Sequence, residues 1–353
     1  MSNLIYICHI IESEDDGGMA RNRAFYNFFL NKNSKIYNMY HSNIMVRLFR
    51  LIVFIFQILS YRRKKIFIHI GSIFNIFPKF ILRRKFGIFL LKKFIIILAK
   101  KNHLIFEIND LPYEQAKDLD LPIENFYEEF QNIIFNNTLK SKYIFASNQM
   151  EKYVLEKYRI APNYSQVLIN GAPKLDESLG ETMFMKEYNL FKVKYIYVGT
   201  MNKGRGIEEL LTLFENRKSY LFLVGPDGEW LLDYLEKLSN IVYLGSYNEQ
   251  MAMQIASQCD YGILHYDSSK FYYNLCYPTK NSFYIAAGIN VISTQLKETQ
   301  NVLSKYNIFL FEDFQKWESI IENPSCYFNK INNIEENTKE KFYWSTILNN
   351  LKI

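Results

Sequence analysis

The chain has 353 residues, of which 49% are hydrophobic and 22% charged, and a formal net charge of +6. That length accommodates two domains of ordinary size, and that composition fills hydrophobic cores and excludes a disordered polymer. The apolar runs "LIVFIFQILSY" (51–61) and "FIIILA" (94–99) are too short to cross a bilayer, which takes roughly 20 residues.

Short β-branched and aromatic runs alternate with longer helical patterns from the first residues onward. Buried strands are predicted at 4–10, 35–40, 66–70, 104–108, 143–147 and 166–169. Helices are predicted between them at 19–31, 44–61, 76–100, 125–138 and 148–158. Alternation of this kind implies a parallel sheet covered by helices on both faces. Basic clusters punctuate the same region: "RRKK" (62–65), "RRK" (83–85), "KK" (92–93) and "KK" (100–101). They fit either a face resting on an anionic membrane or ordinary solvated helix ends. No stacking or groove-reading motif accompanies them, so nucleic acid is not expected as a partner.

The segment "NGAPKLDESLGETMFMKEYNLFK" (170–192) has glycine, proline and charge without strand character. The pattern then restarts, with strands predicted at 195–199, 219–225, 240–245, 260–266, 290–294 and 307–311. Helices are predicted at 206–216, 229–238, 249–257 and 279–287, and a last one at 338–351. The expected organisation is an N-terminal Rossmann-like domain (1–171), a linker (172–192) and a C-terminal Rossmann-like domain (193–335). Residues 336–353 form a C-terminal helix expected to pack back on the first domain. Two doubly wound α/β domains face each other across a cleft in this reading, with ligands at the carboxyl ends of the strands. Cys8, Cys259, Cys276 and Cys326 stand alone without CxxC spacing, and no basic region followed by a cleavable apolar core opens the chain. Both features fit a reduced, cytoplasmic setting.

The chemistry-bearing residues gather in the second half. "YVGTMNKGRGIEELL" (197–211) is a strand, a glycine-bearing loop and a helix. Gly199 lets backbone approach a ligand, Lys203 and Arg205 are placed to face phosphate, and Glu208 and Glu209 suit the helix's first turn. In "YPTKNSFYIAAGINVIST" (277–294), Pro278 suits a helix start, while Thr279 and Lys280 present N–H groups, a hydroxyl and an ammonium at its positive end. Two cationic turns at strand ends suit a diphosphate. "LVGPDGEW" (223–230) and "YLGSYNEQ" (243–250) add turns that can hold a nucleobase, with Tyr247 as a stacking face.

The series "YVGTMNKGRGIEEL", "LFLVGPDG", "IVYLGSYNEQ", "CDYGILHY" and "PTKNSFYIAAGINVIST" resembles the C-terminal domain of GT-B glycosyltransferases. It is most similar to the family-four-like enzymes that build bacterial surface glycans. "GGMARNRAFYNFF" (17–29), "FEINDLP" (106–112), "FASNQMEKYV" (145–154) and "LINGAP" (168–173) agree in outline with the first domain of that superfamily. The resemblance implies a retaining hexosyltransferase that takes a nucleotide sugar to a glycan acceptor on lipid or protein. No cofactor and no metal are expected with it, and the expected setting is cytoplasmic, with attachment to the inner face of the plasma membrane left open by the basic clusters. Carried over by position, Lys203 or Arg205 together with Lys280 would bind the diphosphate, and Gly17 and Gly18 would approach the donor. Two departures are visible: Thr200 stands where the family often has arginine, and Phe283 where it often has a ribose-binding glutamate. Ribose recognition would then fall to residues such as Asn281 or Ser282. The missing acids keep a second reading open, a non-catalytic GT-B-like partner or glycan-binding subunit.

Candidates for acceptor chemistry lie in "EINDLPYE" (107–114), where Glu107, Asp110 and Glu114 are expected at the cleft as orienting or proton-accepting carboxylates. His265 and Asp267 end a strand on the donor side. "DLD" (118–120) has the Asp-x-Asp spacing of metal-binding transferases but lies in a polar loop away from the donor domain, and the histidines have no ligand-like spacing.

Overall fold

A computed structural model of the chain describes residues 3–11, 17–136, 140–179, 188, 192–236, 238–328 and 334–352. The chain forms two compact units, divided between Ile169 and Asn170, with Leu351–Ile353 counted in the first. Most of the expected 172–192 linker lies outside the described residues.

The first unit is a six-stranded parallel sheet. Its strands are β1 (Leu4–Cys8), β2 (Lys35–Asn38), β3 (Lys65–His69), β4 (His103–Ile108), β5 (Lys142–Phe145) and β6 (Ser165–Val167), in the order β2-β1-β3-β4-β5-β6. The helices are α1 (Gly17–Asn31), α2 (Ile44–Ser60), α3 (Ile73–Ile76), α4 (Lys79–Leu82), α5 (Lys85–Lys101), α6 (Pro112–Asp118), α7 (Tyr127–Phe135) and α8 (Asn148–Tyr158). The four inner strands β1, β3, β4 and β5 run buried on both faces, as parallel strands under helices must, hence their near-continuous apolar sequence, while the edge strands β2 and β6 are only half-buried. One helix expected over 76–100 is three. Pro78 lacks an N–H and clashes with a preceding turn, so it caps α4 instead of continuing α3, and Arg84 is extended before α5. The periodicity also missed α6, a single short helix that Pro112 opens.

The second unit repeats the plan with β7 (Lys194–Val198), β8 (Tyr220–Val224), β9 (Ile241–Gly245), β10 (Tyr261–Leu264), β11 (Asn290–Ser293) and β12 (Phe309–Phe311). Its order is β12-β11-β10-β7-β8-β9, again parallel throughout. Side chains alternate faces along each strand. Tyr195, Tyr197, Leu221 and Leu223 pack with the helices Ile207–Phe214 and Trp317–Glu322. Ile196, Phe222 and Val224 pack on the other side with Glu249–Ala256 and Thr279–Ala287. The last helix, expected over 338–351, is broken in two: a helical turn at Glu336–Lys339 runs into a 3-10 turn at Glu340–Phe342, and extended Tyr343 separates these from Trp344–Asn349. It lies in the second unit, where Trp344 N–H donates to Ala172 O (2.9 Å) and Ala172 N–H to Phe342 O (2.9 Å).

Candidate functional site

In the second sheet the chain leaves β7 toward β8 and β10 toward β11, so the strand order reverses between these two neighbours. Open α/β sheets form a ligand crevice at the carboxyl ends of the strands at such a point. β7 and β10 pair only at Tyr261–Tyr195 and Gly262–Ile196, then part. Tyr284, from the helix Thr279–Ala287, closes the split: its hydroxyl accepts from Val198 N–H (3.0 Å) and donates toward Ile263 O (3.2 Å). Gly262 gives the ring its seat, since a Cβ there would lie 2.7 Å from it.

One turn before Tyr284 on the same helix, Lys280 enters the crevice. Its ammonium lies 3.6 Å from the Tyr197 ring centroid and 5.5 Å from that of Tyr266. Gly199, just past β7, makes this approach possible: it has φ +147°, and a Cβ would sit 2.7 Å from Lys280 Cε and 2.9 Å from Nζ. Burial first, and then the charge of Arg205, hold the Lys280 pKa well below the usual lysine range. Among the described residues no carboxylate pairs with it. Of the two cations offered by the loop, Arg205 is therefore the one electrically coupled to Lys280. Lys203 turns to Trp230, its ammonium 5.2 Å from that ring.

The loop's other glycine of consequence is Gly206, at φ +80°, where a Cβ would meet His265 Cδ2 at 2.4 Å. His265 follows β10, stacks on Phe314 at 4.2 Å between ring centroids and has Nε2 2.7 Å from Glu209 Oε2. Burial lowers the His265 pKa although the Glu209 carboxylate works against it, so the ring is neutral near pH 7. Its Nδ1 is buried without a hydrogen-bond partner.

The neighbouring turns are knit by backbone. Gly199 N–H donates to Val224 O (2.8 Å) and Gly225 N–H to Gly245 O (2.9 Å). A Cβ on Gly225 would be 1.9 Å from Gly199 O, so this glycine serves close packing and its N–H is already taken. Pro278 is the N-cap of its helix and Thr279 its first residue, with no described side chain capping that end. The ribose candidates are placed elsewhere. Asn281 Nδ2 donates to Thr299 Oγ1 (3.1 Å), Ser282 Oγ donates to Asn170 O (2.6 Å), and both residues are fully buried. Phe283 belongs to the core. Tyr247 is half-buried against the same core.

No sequence-family profile matches the chain, and no curated protein sequence does. Solved structures do match in fold. Sucrose-phosphate synthase from Thermosynechococcus elongatus superposes with a TM-score of 0.68 at 13% identity, over 98% of this chain and 96% of that one. HepE from Anabaena, solved with UDP, matches with a TM-score of 0.62 at 12% identity, over 98% and 96%. WaaG, a glycosyltransferase involved in lipopolysaccharide biosynthesis, matches with a TM-score of 0.57 at 10% identity, over 98% and 93%. The chain has the GT-B glycosyltransferase fold.

In the first unit of this GT-B chain the predicted carboxylates are differently placed than expected. Glu107 is 1% exposed, bonded by Arg21 Nε (2.5 Å) and by His69 Nδ1, while Arg21 Nη1 donates to Leu168 O (2.9 Å). Burial alone would raise its pKa, but the charges of Arg21 and His69 overcome that and bring it down to about 2. A carboxylate so held is a fixed anion and a poor proton acceptor. Glu114 is also buried, held by Lys157 Nζ (2.6 Å), Tyr153 OH (2.9 Å) and Gln131 Nε2 (2.8 Å). Neither is the open cleft carboxylate the sequence led us to expect. Asp110 stays half-buried and accepts from Asn109 Nδ2 (2.9 Å). Gly17 opens α1 and Gly18 is exposed beside it; residues 12–16 lie outside the described residues.

Proposed function

We propose that the protein is a glycosyltransferase that moves a hexose-type sugar from a nucleotide-sugar donor to a glycan carried on lipid or protein. The observation that carries this reading is the acid-free cation pair at the switch point, Lys280 with Arg205. Gly199 opens the way to it, and an uncapped helix N-terminus lies beside it. A lysine that is destabilised by burial and by a like charge gains most from a bound polyanion. HepE was solved with UDP and with UDP-glucose, which makes a uridine diphosphate sugar the first donor to try.

The chemistry follows from charge. When the glycosidic carbon–oxygen bond to the diphosphate breaks, negative charge grows on the leaving oxygen. Lys280, Arg205 and the first-turn N–H groups would meet that charge in this proposal, without a metal. Retention of configuration is part of the proposal: the acceptor hydroxyl attacks from the face the diphosphate leaves, and its proton passes to the departing phosphate. The buried, low-pKa Glu107 is no candidate for taking that proton, which leaves Asp110 as the carboxylate an inverting course would use. The proposed reaction takes place in the cytoplasm, where thiols such as those of the four cysteines stay reduced.

The test is a thermal-shift panel of nucleotide sugars, followed by product analysis with the donor that binds. A ligand at about 100 times its dissociation constant adds roughly 2.7 kcal/mol of stability. NMR of the product anomer distinguishes retention from inversion. Binding without turnover on any glycan acceptor would favour the second reading, a non-catalytic partner, for which the core position of Phe283 in place of an acid is the supporting observation.

A further inference from the structure

Helix α2 is apolar on the wrong side. Its inward stripe, Phe54 and Ile58, is buried on the sheet, with Phe54 edge-on to Tyr37 at 5.1 Å. Met45, Phe49, Ile52 and Phe56 lie at spacings of four, three and four residues, one stripe of a helix, and they face outward. Phe56 is 75% exposed, Phe49 69% and Met45 70%. α5 packs beside α2 and carries the same signature, with Phe86 67% and Phe89 52% exposed. Scattered exposed apolar residues need no explanation, but a continuous stripe of this size marks a covered surface.

Charge identifies what covers it. From Gly17 to Phe106 the sequence holds 18 Lys and Arg and not one Asp or Glu, so the chain's +6 is the difference between this +18 segment and a remainder at −12. Exposed cations flank the stripes: Arg50 on α2, Arg84 before α5, and Lys85, Lys92 and Lys93 on α5. No helix among the described residues is long and apolar enough to cross a membrane, and α2 at 17 residues spans about 25 Å. Such helices lie in the headgroup region, burying the apolar face while their cations meet anionic lipid. A second copy of the chain fits worse, because two acid-free cationic faces would meet within a Debye length of about 8 Å.

We infer that the outer face of α2 and α5 docks on the surface of an anionic phospholipid bilayer. This does not depend on the transfer reading, and it narrows the proposed acceptor to one carried on lipid.

The test is co-sedimentation of the full chain with phosphatidylcholine vesicles, with and without phosphatidylglycerol. Binding is expected only with phosphatidylglycerol. The Ile52→Asp/Phe56→Asp double variant, both sites being solvent-exposed, should lose binding by about tenfold or more. Lys92→Gln/Lys93→Gln should lose roughly fivefold for each cation removed. Both variants should keep the wild-type Tm and the wild-type thermal shift with UDP, so a failure of donor binding is read separately from a failure of docking. Absence of wild-type binding to anionic vesicles, or unchanged binding by both variants, overturns the proposal. A wild-type dimer in light scattering that the Asp variant abolishes overturns it in favour of a second copy.

Discussion

Lys280→Met tests the phosphate assignment because it separates two roles of one side chain. Methionine keeps an apolar stem against Tyr197 and removes the charge. In the wild type that charge is buried, without a carboxylate partner, and repelled by Arg205. The folded-state pKa lies below the unfolded value near 10.5, so the folded protein binds fewer protons than the unfolded one. Stability of the ligand-free protein therefore rises as pH climbs through the window between the lowered pKa and 10.5. Lys280→Met removes that dependence and the penalty at pH 7 together, and each 1 kcal/mol regained raises Tm by about 2–4 °C in a unit of this size. Binding moves the other way. A hydrogen bond to a charged group is worth about 1.5–3 kcal/mol, so UDP affinity by calorimetry should fall roughly 10- to 150-fold. A more stable protein that binds worse is the expected signature. Unchanged UDP affinity with a lower Tm would refute the reasoning and make Lys280 a packing residue.

Four further substitutions and ligands extend the test. Gly199→Ala places a methyl against Lys280 Cε at a φ of +147°, so it should lower Tm by an amount matching about 1–3 kcal/mol and weaken UDP binding; in a Lys280→Ala background, where the clash partner is gone, the loss from Gly199→Ala should shrink, as read by denaturant melts. Tyr284→Phe strips Val198 N–H and Ile263 O of their bridge and should cost about 1–3 kcal/mol in the same assay, with a weaker donor as the helix loosens. Glu107→Gln leaves Arg21 buried without its anion and should cost about 3–5 kcal/mol. In the wild type that contribution is present above the ordinary carboxylate pKa near 4.5 and is lost as pH falls toward about 2, so the variant should flatten acid denaturation across that window. Finally, the 2′-deoxy form of UDP should bind within a few-fold of UDP, since loss of a carboxylate–ribose hydrogen bond would cost tenfold or more.

The doubly wound plan was legible because buried parallel strands leave near-continuous apolar runs, and all six strands of each sheet fall within or beside the predicted segments. Helix ends were less legible where local chemistry overrides periodicity, as at Pro78, Arg84 and Tyr343. At the site, Gly199 and Lys280 stood out because glycine at a strand end and lysine at a helix start have few structural reasons to coincide. The choice between Lys203 and Arg205 was not readable, since both lie in one loop and only geometry shows which shares Lys280's field. Glu107 misled for a similar reason. A carboxylate after a strand looks available until its partners arrive from α1 and β3, 86 and 38 residues away in sequence. Tyr284 was visible only as part of a motif; its bridge depends on two strands parting after Gly262, which no local pattern records.

The helix Thr279–Ala287 carries Phe283 where the sequence resemblance led us to expect an acid. Residues 281–287 are all buried, and only Thr279 and Lys280 reach the crevice. Phe283 belongs to the core formed with Ile196, Phe222 and Met253, where a glutamate would be an ion taken from water into apolar surroundings. Packing suits phenylalanine at that position: the helix is anchored on the sheet by the Tyr284 hydroxyl, and its unburied positions are those of the first turn. A first turn offers N–H groups and one ammonium, and these recognise phosphate. On the proposed function, a helix seated this deeply would hold a donor by its diphosphate, and discrimination among sugars would fall to residues outside it.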